Sequence, residues 1–427
     1  MHKIERLLQT LAPKGVEFRK LGDIGEYIRG VTYKKNQEIN NLECGIKVLR
    51  ANNITLSNHL NFEDIKVINK NVKIRKEQYL KKNDILICAG SGSSEHIGKV
   101  AFINMDFDYV FGGFMGVIRI REVNSRFVYH IFTSNIFKQY LEKSLNTTTI
   151  NNLNANILQN FLIPIPPLEI QQEIVKILDA FTELNTELNT ELNARKKQYQ
   201  YYQNMLLDFD GIHSDHKDTK IKTYPKRLKT LLQTLAPKGV EFRKLGEVCE
   251  STNKRTLKVS EVSEVKNKGM YPVINSGRDL YGYYHDFNND GENITIASRG
   301  EYAGFINYFN EKFFAGGLCY PYKVKDTNEL LTKFLYFYLK TNEIQIMENL
   351  VFRGSIPALN KADIETLTIP IPPLEIQQEI VKILDPFSIL TTDLLAGIPA
   401  EINARKKQYE YYREKLLTFK PLKSLKP

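Results

Sequence analysis

Cysteine is scarce in this 427-residue chain, and no cysteine is placed to bind a metal. The four cysteines are isolated, without a C-x-x-C pair or the spacing of a zinc site. We interpret each as a small core residue in a reducing compartment. They are Cys44, Cys88, Cys249 and Cys319. His213 and His216 lie close together, but in a polar, patternless segment that favours a linker over a metal site.

Long apolar runs are also missing. No stretch approaches the roughly 20 apolar residues of a membrane helix, and residues 1–6 lack the apolar segment of a signal peptide. These absences predict a soluble, cytoplasmic protein without a membrane partner.

The common sequence signatures of enzymes are absent. There is no nucleotide-binding G-x-x-x-x-G-K-[ST] loop, no G-x-G-x-x-G after a strand, no H-E-x-x-H and no G-x-S-x-G. Gly112 and Gly113 are better explained by a turn, and both Pro-Pro pairs stand in Ile-Pro-Pro-Leu rather than in a methyltransferase motif. We therefore predict no catalytic residue, no metal site and no cofactor bound by this chain.

What the chain does have is positive charge. Its formal net charge is +10 and its pI is about 9.1, while hydrophobic residues make up an ordinary 42%. Such an excess suits a polyanion, either nucleic acid or an acidic membrane surface. A basic protein with no polyanionic partner remains an alternative at this point.

The chain also repeats itself in blocks. Residues 7–22 return unchanged at 231–246, and residues 163–179 return unchanged at 369–385, whereas the regions between these blocks match only at scattered points. NARKKQ at 193–198 also recurs. We interpret the identical blocks as surfaces that meet one kind of partner twice, and the unlike regions as surfaces for two different targets. Duplication followed by gene conversion is the alternative.

The second repeated block predicts a long helix. Its apolar residues recur at spacings of 4-3-4-3-4, as in a coiled coil, at Ile170, Ile174, Ile177, Phe181, Leu184 and Leu188. The helix is predicted from Leu168 to about Leu207, a length of ~60 Å. The second copy has the same spacing, so we expect the two helices to pair with each other in antiparallel fashion. Pro386 and the Gly397-Ile398-Pro399 segment predict a kink or break in the second helix. A four-residue unit, TELN, occurs three times in the first helix, between residues 182 and 193.

The unlike regions combine short β-branched runs that predict strands, such as the one at 85–88, with later helical patterns at 126–143 and 328–350. This combination predicts a mixed α/β globule in each half. Their loops are rich in residues that bind bases and phosphates. The candidate DNA-binding residues are Asn52, Asn53, Ser91, Ser93, Ser94, Lys99, Thr147, Thr148, Lys254, Arg255, Arg278, Arg299, Arg353 and Ser355.

This layout resembles the specificity subunit of type I restriction-modification systems over essentially the whole chain. The motifs that carry the resemblance are I-P-x-P-P-L-E-x-Q-x-x-I at 163–174 and 369–380, and A-R-K-K-Q-Y-x-Y-Y at 194–202 and 404–412. It implies an α+β protein with two mixed α/β target recognition domains, joined by two long antiparallel helices that form a coiled coil with pseudo-two-fold symmetry. The implied domains are residues 1–162 and 230–368 for recognition, 163–207 and 369–427 for the helical spacers, and 208–229 for a linker.

The resemblance also implies partners and a function. Such a subunit recognises a bipartite, asymmetric double-stranded DNA sequence with a fixed gap, and it binds two methyltransferase subunits and, through them, two restriction motor subunits. S-adenosylmethionine, ATP and Mg²⁺ would be used by those partners. The TELN units resemble spacer repeats that set the gap. The expected spacer and subunit-binding positions are Leu168, Ile174, Phe181, Leu188, Arg195, Tyr202, Leu374, Ile380, Phe387, Leu394, Arg405 and Tyr412. A self-contained enzyme and a coiled-coil scaffold with two protein-binding heads are the alternatives.

Overall fold

The computed structural model describes residues 2–39, 44–90, 94–145, 153–209, 224–393 and 396–422. The chain divides into two compact units. Unit 1 combines Met1–Leu188 with Ile402–Pro427, and unit 2 is Asn189–Glu401. The predicted linker is largely outside the described residues, including His213 and His216.

Unit 1 begins with a short amphipathic helix and then alternates strands with three-ten turns. Its helices before the long spacer are α1 His2–Leu11, α2 Leu21–Ile24, α3 Ser125–Phe132, α4 Asn135–Leu145 and α5 Ala155–Gln159. Its strands are β1 Glu17–Lys20, β2 Gly25–Arg29, β3 Glu38–Ile39, β4 Ile46–Leu49, β5 Lys66–Ile68, β6 Ile85–Cys88, β7 Val100–Phe102, β8 Tyr109–Phe111, β9 Met115–Ile120 and β10 Leu162–Ile165. The long helix α6, Leu168–Leu206, follows.

Two four-stranded sheets and a ribbon organise unit 1. One sheet has the order β2-β9-β6-β7, the other has the order β3-β5-β4-β8, and β1 pairs with β10. Strand β6 is buried along its whole length, as its unbroken apolar sequence requires. Its Ile85 and Ile87 belong to the same core as Phe127 of α3 and Ile170 of α6. The first turn of the long helix is therefore part of the core of this unit.

Unit 2 follows the same plan. Its helices are α7 Lys226–Leu235, α8 Leu245–Val248, α9 Thr332–Thr341, α10 Glu343–Leu350, α11 Lys361–Glu365, α12 Leu374–Thr392 and α13 Ile398–Leu417, the last of which continues into unit 1. Its strands are β11 Glu241–Lys244, β12 Cys249–Ser251, β13 Tyr271–Ile274, β14 Gly282–Tyr284, β15 Glu292–Ala297, β16 Ile306–Asn310, β17 Phe314–Ala315, β18 Cys319–Val324, β19 Val351–Phe352, β20 Ala358–Leu359 and β21 Thr368–Ile371.

The main sheets of the two units correspond strand by strand. The order β12-β18-β15-β16 in unit 2 repeats β2-β9-β6-β7 of unit 1, and the ribbon β11·β21 repeats β1·β10. Both units also have a three- or four-stranded second sheet, with orders β14-β13-β17 and β3-β5-β4-β8. The prediction of two mixed α/β globules is confirmed.

Each helical pattern in the unlike regions resolves into two helices rather than one. Between α3 and α4, the hydroxyls of Thr133 and Ser134 donate to the carbonyls of His130 and Ile131 and satisfy the end of α3. Between α9 and α10, the Asn342 side chain donates to a carbonyl of the preceding turn. Short polar side chains at these positions end a helix by taking over its last carbonyls.

The long spacer helix is continuous, whereas its second copy is broken. Helix α6 runs through 39 residues, but the second copy is divided into α12 and α13. Helix α12 continues through Pro386, so the kink predicted there is not a break. The interruption falls instead at Gly397, whose φ of +84° lies in the left-handed region that ends helices. Leu394 lies outside the described residues.

The two spacer helices pair in opposite directions within each unit. In unit 1, Phe181 of α6 lies against Tyr409 and Tyr412 of α13, while the earlier Ile170 shares a core with the later Leu416. In unit 2 the same order holds, because Tyr202 of α6 lies against Phe387 and the later Leu206 shares a core with the earlier Ile380. The two spacer helices are therefore antiparallel in each unit, as predicted.

One detail of the predicted seam is wrong. At the start of α6 the fully buried row is Ile170, Ile174 and Leu178, whereas Ile177 is only half-buried. Spacings of four residues place this row against the globular core of unit 1 rather than along a coiled-coil seam.

Candidate nucleic-acid interface

The repeated block at the start of each spacer helix forms the same buried network in both units. The Gln171 amide donates to the Pro166 carbonyl at 2.7 Å and accepts from the Asn124 backbone NH at 3.0 Å. The equivalent Gln377 donates to the Pro372 carbonyl at 2.7 Å and accepts from the Leu331 NH at 2.8 Å. Both glutamines are buried. Each one ties a spacer helix to the segment that leads into the helix packed on the main sheet.

The motif aspartate makes a second common contact. Asp179 accepts from Arg126 Nε at 2.8 Å, and Asp385 pairs with Lys333 Nζ at 2.7 Å. Arg126 and Lys333 are both second residues of their helices, α3 and α9. The aspartates belong to the identical blocks, whereas the basic residues belong to the unlike regions. The same ion pair therefore joins the repeated helix to a different region in each unit.

Only unit 1 adds a histidine to this pair. His130 is fully buried, and its Nε2 lies 2.9 Å from Asp179 Oδ1. Burial lowers the pKa of His130 from its ordinary 6.5, so the neutral ring donates to the carboxylate. Burial raises the pKa of Asp179, but hydrogen bonds from His130 and the charge of Arg126 outweigh it and hold that pKa below the ordinary 3.8. Phe337 holds the position four residues after Lys333 in unit 2.

The repeated blocks also expose identical apolar side chains in both units. Leu11 and Leu235 are about equally exposed, and so are Phe18 and Phe242. Tyr201 is 58% exposed and its counterpart Tyr411 is 62% exposed. Exposed apolar side chains thus recur at matched places in the two units.

The expected spacer positions divide into four environments. Ile174 and Ile380 are buried in the globular cores, while Phe181, Tyr202, Phe387 and Tyr412 pair across the helices. Arg195 and Arg405 each donate to a glutamine three residues on. Leu168 is exposed, and Leu188 and Leu374 are half-buried. Among the described positions of this set, only Leu168 is exposed, and its binding to a partner stays a prediction.

The main sheet of each unit presents one end to the loops of the unlike region. We call this end the loop edge: in unit 1, β2 and β6 end there while β7 and β9 begin there, as their antiparallel register requires. In unit 2 the loop edge lies where β12 and β15 end and β16 and β18 begin. The candidate DNA-binding residues are distributed around these edges.

In unit 1, two candidate residues serve the protein itself. Asn53 is buried, and its side chain bonds the Arg50 NH and the Asn61 carbonyl. Lys99 is also buried and donates to the carbonyls of Ala51 and Ile54. Both side chains hold the loop that carries Asn52, and their binding to DNA stays a prediction. Asn52 itself is exposed.

Most of the remaining unit 1 candidates lie outside the residues that the structure describes. Ser91, Ser93, Thr147 and Thr148 lie outside the described residues, and Ser94 begins the three-ten helix Ser94–His96 just after β6. Leu153, the first described residue after Thr148, donates its NH to the Ala89 carbonyl next to β6 and so lies at the loop edge.

In unit 2, three basic candidates meet at the loop edge. Lys254 Nζ donates to the Gly317 carbonyl at 3.3 Å, and the Arg255 backbone NH donates to the Ala315 carbonyl at 3.0 Å. Arg299 lies just beyond the end of β15. All three side chains are exposed. The structure thus brings together cations that are 45 residues apart in sequence.

Two more candidates stand on a hairpin that joins this edge. Strands β19 and β20 enclose Arg353 and Ser355, both exposed, and the backbone of Arg299 bridges to Ala358 of the hairpin. The Gly300 NH also donates to the Pro357 carbonyl at 2.9 Å. Arg278 is exposed and pairs with Asp279, on a loop that follows β13. The unit 2 candidates thus surround one edge, with Arg278 on its neighbouring sheet.

Sequence reasoning missed part of the unit 1 edge. Arg29, at the end of β2, and Arg75 line a cavity of about 520 Å³ together with Phe114. Arg29 does not lie in a run of polar loop residues, which was the signal used to choose candidates. Arg75 does begin such a run, at 75–78, but it was not chosen. The register of β2 against β9 shows that Arg29 belongs to the edge, and that register is not visible in the sequence.

Burial raises the pKa values of Cys249 and Cys319 to about 12, so neither thiol is a ready nucleophile. Among the residues that the structure describes, no group of three or more metal-binding side chains occurs. In the same residues, no helix is long and apolar enough to cross a bilayer.

The two units share the same main sheet, ribbon and spacer helices but carry different loop edges. This arrangement is that of a protein with two related but unlike binding domains. The family model for the type I restriction modification DNA specificity domain matches residues 13–196 and 237–404. The chain therefore belongs to the family of type I restriction-modification specificity subunits.

Individual relatives agree with this assignment. The chain is 31% identical over 370 residues to a type I restriction enzyme specificity subunit of Haemophilus influenzae, covering 82% of this chain and 86% of the relative. It is 35% identical over 260 residues to a type I specificity subunit of Mycoplasma pneumoniae, covering 60% of this chain and 95% of that protein. Its fold is similar to that of the crystallised type I S subunit of M. genitalium, with a TM-score of 0.59, 18% identity and coverage of 94% and 95%.

Proposed function

We propose that this chain recognises a bipartite, asymmetric DNA sequence with a gap of fixed length. Unit 1 reads one half-site and unit 2 reads the other. The chain directs two methyltransferase subunits, and through them two restriction motor subunits, to that sequence. It performs no chemistry, and S-adenosylmethionine, ATP and Mg²⁺ are bound by the partners.

One observation carries this proposal: the frame is the same in both units while the loop edges differ. The backbone contact that Arg255 makes with Ala315 in unit 2 is made in unit 1 by Val31 with Phe111. Arg299 follows the end of β15 by two residues, as Gly90 follows β6. Arginine reads guanine through two hydrogen bonds, and neither valine nor glycine can do so. Equivalent places thus offer different base-reading chemistry.

The matched exposed residues support a pair of identical protein partners. Because Leu11, Phe18 and Tyr201 recur as Leu235, Phe242 and Tyr411, a methyltransferase that binds one set can bind the other. The family makes this partnership the natural one. A scaffold that binds two unlike proteins would use the unlike regions for that purpose, and their exposed arginines favour a polyanion instead.

Exchange of the loop edges tests the proposal. Methylated adenines are mapped by sequencing in cells that carry the partner genes and either the natural chain or one in which residues 247–368 are replaced by residues 23–162. The natural chain should yield an asymmetric two-part motif, and the exchanged chain a symmetric motif built from the first half-site twice. A motif that stays unchanged would contradict separate recognition by the two units.

A binding measurement distinguishes the scaffold alternative. The affinity of the purified complex for the mapped duplex should fall steeply as salt rises, since counterions are released when arginine and lysine meet phosphates. A scaffold with two protein-binding heads would show no sequence-dependent affinity at any salt concentration.

A further inference from the structure

One exposed apolar residue occupies the same place at both loop edges. Phe114 and Leu318 each stand immediately before the long strand of their main sheet, β9 or β18. The Phe114 carbonyl accepts from the Ala89 NH at 2.9 Å, and the Leu318 carbonyl accepts from the Ser298 NH at 2.9 Å. Ala89 and Ser298 both follow the strand at the centre of the sheet. The two residues are therefore equivalent in the fold, although they lie in unlike regions.

The glycine pair before each residue explains how it is presented. A Cβ on Gly113 would lie 3.1 Å from Thr32 Oγ1, and one on Gly317 would lie 2.4 Å from Thr256 Oγ1. A side chain is therefore poorly accommodated at the second glycine, where the turn presses against the chain that follows β2 or β12. The next residue is the first that can carry a side chain, and it emerges at the loop edge.

Both side chains are too exposed to serve the core. Phe114 is 73% exposed and Leu318 is 40% exposed. An aromatic ring left in water forgoes most of the stabilisation that burial would bring, so a folded protein gains little from keeping it there. Two such residues at equivalent places indicate an apolar contact that is completed by a bound molecule.

The surroundings identify that molecule as nucleic acid. Phe114 shares its cavity with Arg29 and Arg75, and also with Glu26 and Glu77, the second of which pairs with Arg75 at 3.0 Å. Beside Leu318, Lys254 Nζ lies 3.3 Å from the Gly317 carbonyl, and Arg299 follows Ser298 directly. Arginine beside an aromatic side chain also occurs in protein interfaces, so the DNA specificity domain matched in both units decides for nucleic acid. In DNA, phosphates meet the cations while a base offers an apolar face or a thymine methyl group.

We propose that Phe114 and Leu318 are base-contacting residues, each placing its apolar side chain against a base of the half-site read by its own unit. This inference rests on the proposed function and deepens it. Arg29 beside Phe114 and Lys254 beside Leu318 contact the phosphate backbone and set the salt dependence of binding. Phe114 and Leu318 add affinity only for the correct half-site, because a contact with a base depends on which base is present.

The test uses the full complex with its methyltransferase subunits and three duplexes: the mapped sequence, and two in which one or the other half-site is scrambled. Phe114→Ala should weaken binding to the duplex that keeps only the first half-site roughly tenfold, as expected for one lost base contact. The slope of affinity against salt should not change. Leu318→Ala should weaken binding to the other duplex in the same way, and Phe114→Leu should retain part of the affinity.

Met105→Ala is the matched control for Phe114. Met105 is 59% exposed and follows β7 at the end of the sheet opposite the loop edge, so its removal should leave every duplex unaffected. Arg29→Ala should instead weaken all duplexes and reduce the salt slope. This contrast separates base contact from phosphate contact.

Each other outcome overturns a distinct claim. If the unaltered complex does not prefer the mapped sequence, the proposed function itself fails. If the unaltered complex is specific but Phe114→Ala binds all three duplexes normally, only the base-contacting role fails. That role also fails if Phe114→Ala weakens assembly with the methyltransferase, since Phe114 would then be a protein contact.

Discussion

The ring of Phe181 stacks on the ring of Tyr412, with centroids 5.7 Å apart and planes inclined by 26°. Phe387, the second copy of Phe181, lies in a similar way against Tyr202, the first copy of Tyr412, at 5.4 Å and 31°. Each ring pair thus joins the beginning of one repeat to the end of the other. The same Phe–Tyr contact therefore joins the two spacer helices in each unit, which explains why both residues recur in the two halves of the sequence.

Adjacent tyrosines should separate stability from partner binding. Tyr412→Ala removes the stack with Phe181 and should lower the free energy of unfolding of unit 1 by about 1–2 kcal/mol. Tyr411→Ala, at an exposed position, should leave stability unchanged and weaken binding to the methyltransferase. Thermal unfolding and titration of the two subunits measure the two effects. Equal loss of stability in both variants would contradict the assigned roles.

Gln377 should be far more sensitive than its neighbour. Replacing it with leucine leaves the Leu331 NH and the carbonyls of Glu329 and Pro372 without their partner, at a cost of about 2–4 kcal/mol. Gln378→Leu changes an exposed position and should cost less than about 0.5 kcal/mol. Urea unfolding of both variants provides the comparison. A Gln377→Leu variant as stable as the natural chain would refute the anchoring role.

His130 should make the stability of unit 1 depend on pH. Its folded-state pKa lies below the ordinary 6.5, so as pH falls through 6.5 the unfolded chain takes up the proton first. Stability is therefore complete above that pH and declines below it, with a slope of at most about 1.4 kcal/mol per pH unit.

His130→Phe, which copies Phe337 of unit 2, should remove that slope between neutral pH and the point where Asp179 begins to titrate, below 3.8. Unfolding followed at a series of pH values measures it. A slope that persists in the variant would assign the pH dependence to another group.

The TELN units should set the gap between half-sites. Deleting residues 186–189 removes one unit, or ~6 Å of helix, which corresponds to ~2 base pairs. The recognised gap should shorten while both half-sites stay the same. Replacing Thr186 and Glu187 with alanine preserves the helix length and should preserve the gap. Adenine methylation mapping detects either change, and an unchanged gap after the deletion would be decisive against this role.

Periodicity and repetition in the sequence predicted much of the fold. The first spacer helix was expected from Leu168 to about Leu207 and ends at Leu206, and β6 was expected where it is found, at Ile85–Cys88. Both elements are governed by local rules: a long apolar stripe can only be a helix, and a short unbroken apolar run bounded by turns favours a buried strand. The family followed from the same repeats.

The residues of the candidate site were harder to predict from the sequence. Asn53 and Lys99 have the chemistry of DNA-binding residues, yet both are buried and bonded to backbone carbonyls. Arg29 and Phe114 lacked a sequence signal and stand at the loop edge. Exposure depends on which segments pack over a residue, and those segments are distant in the chain.

The amino-acid sequence by itself determined the repeated frame, the direction in which its helices pair and the division into shared and unlike regions. These properties follow from spacing and identity along the chain, and such patterns are read without coordinates. Only the tertiary structure decided which polar residues face solvent and which apolar residue stands among the cations of each edge. That decision depends on strand register and on close packing at a pair of glycines, where a shift of one residue would turn an exposed side chain inward.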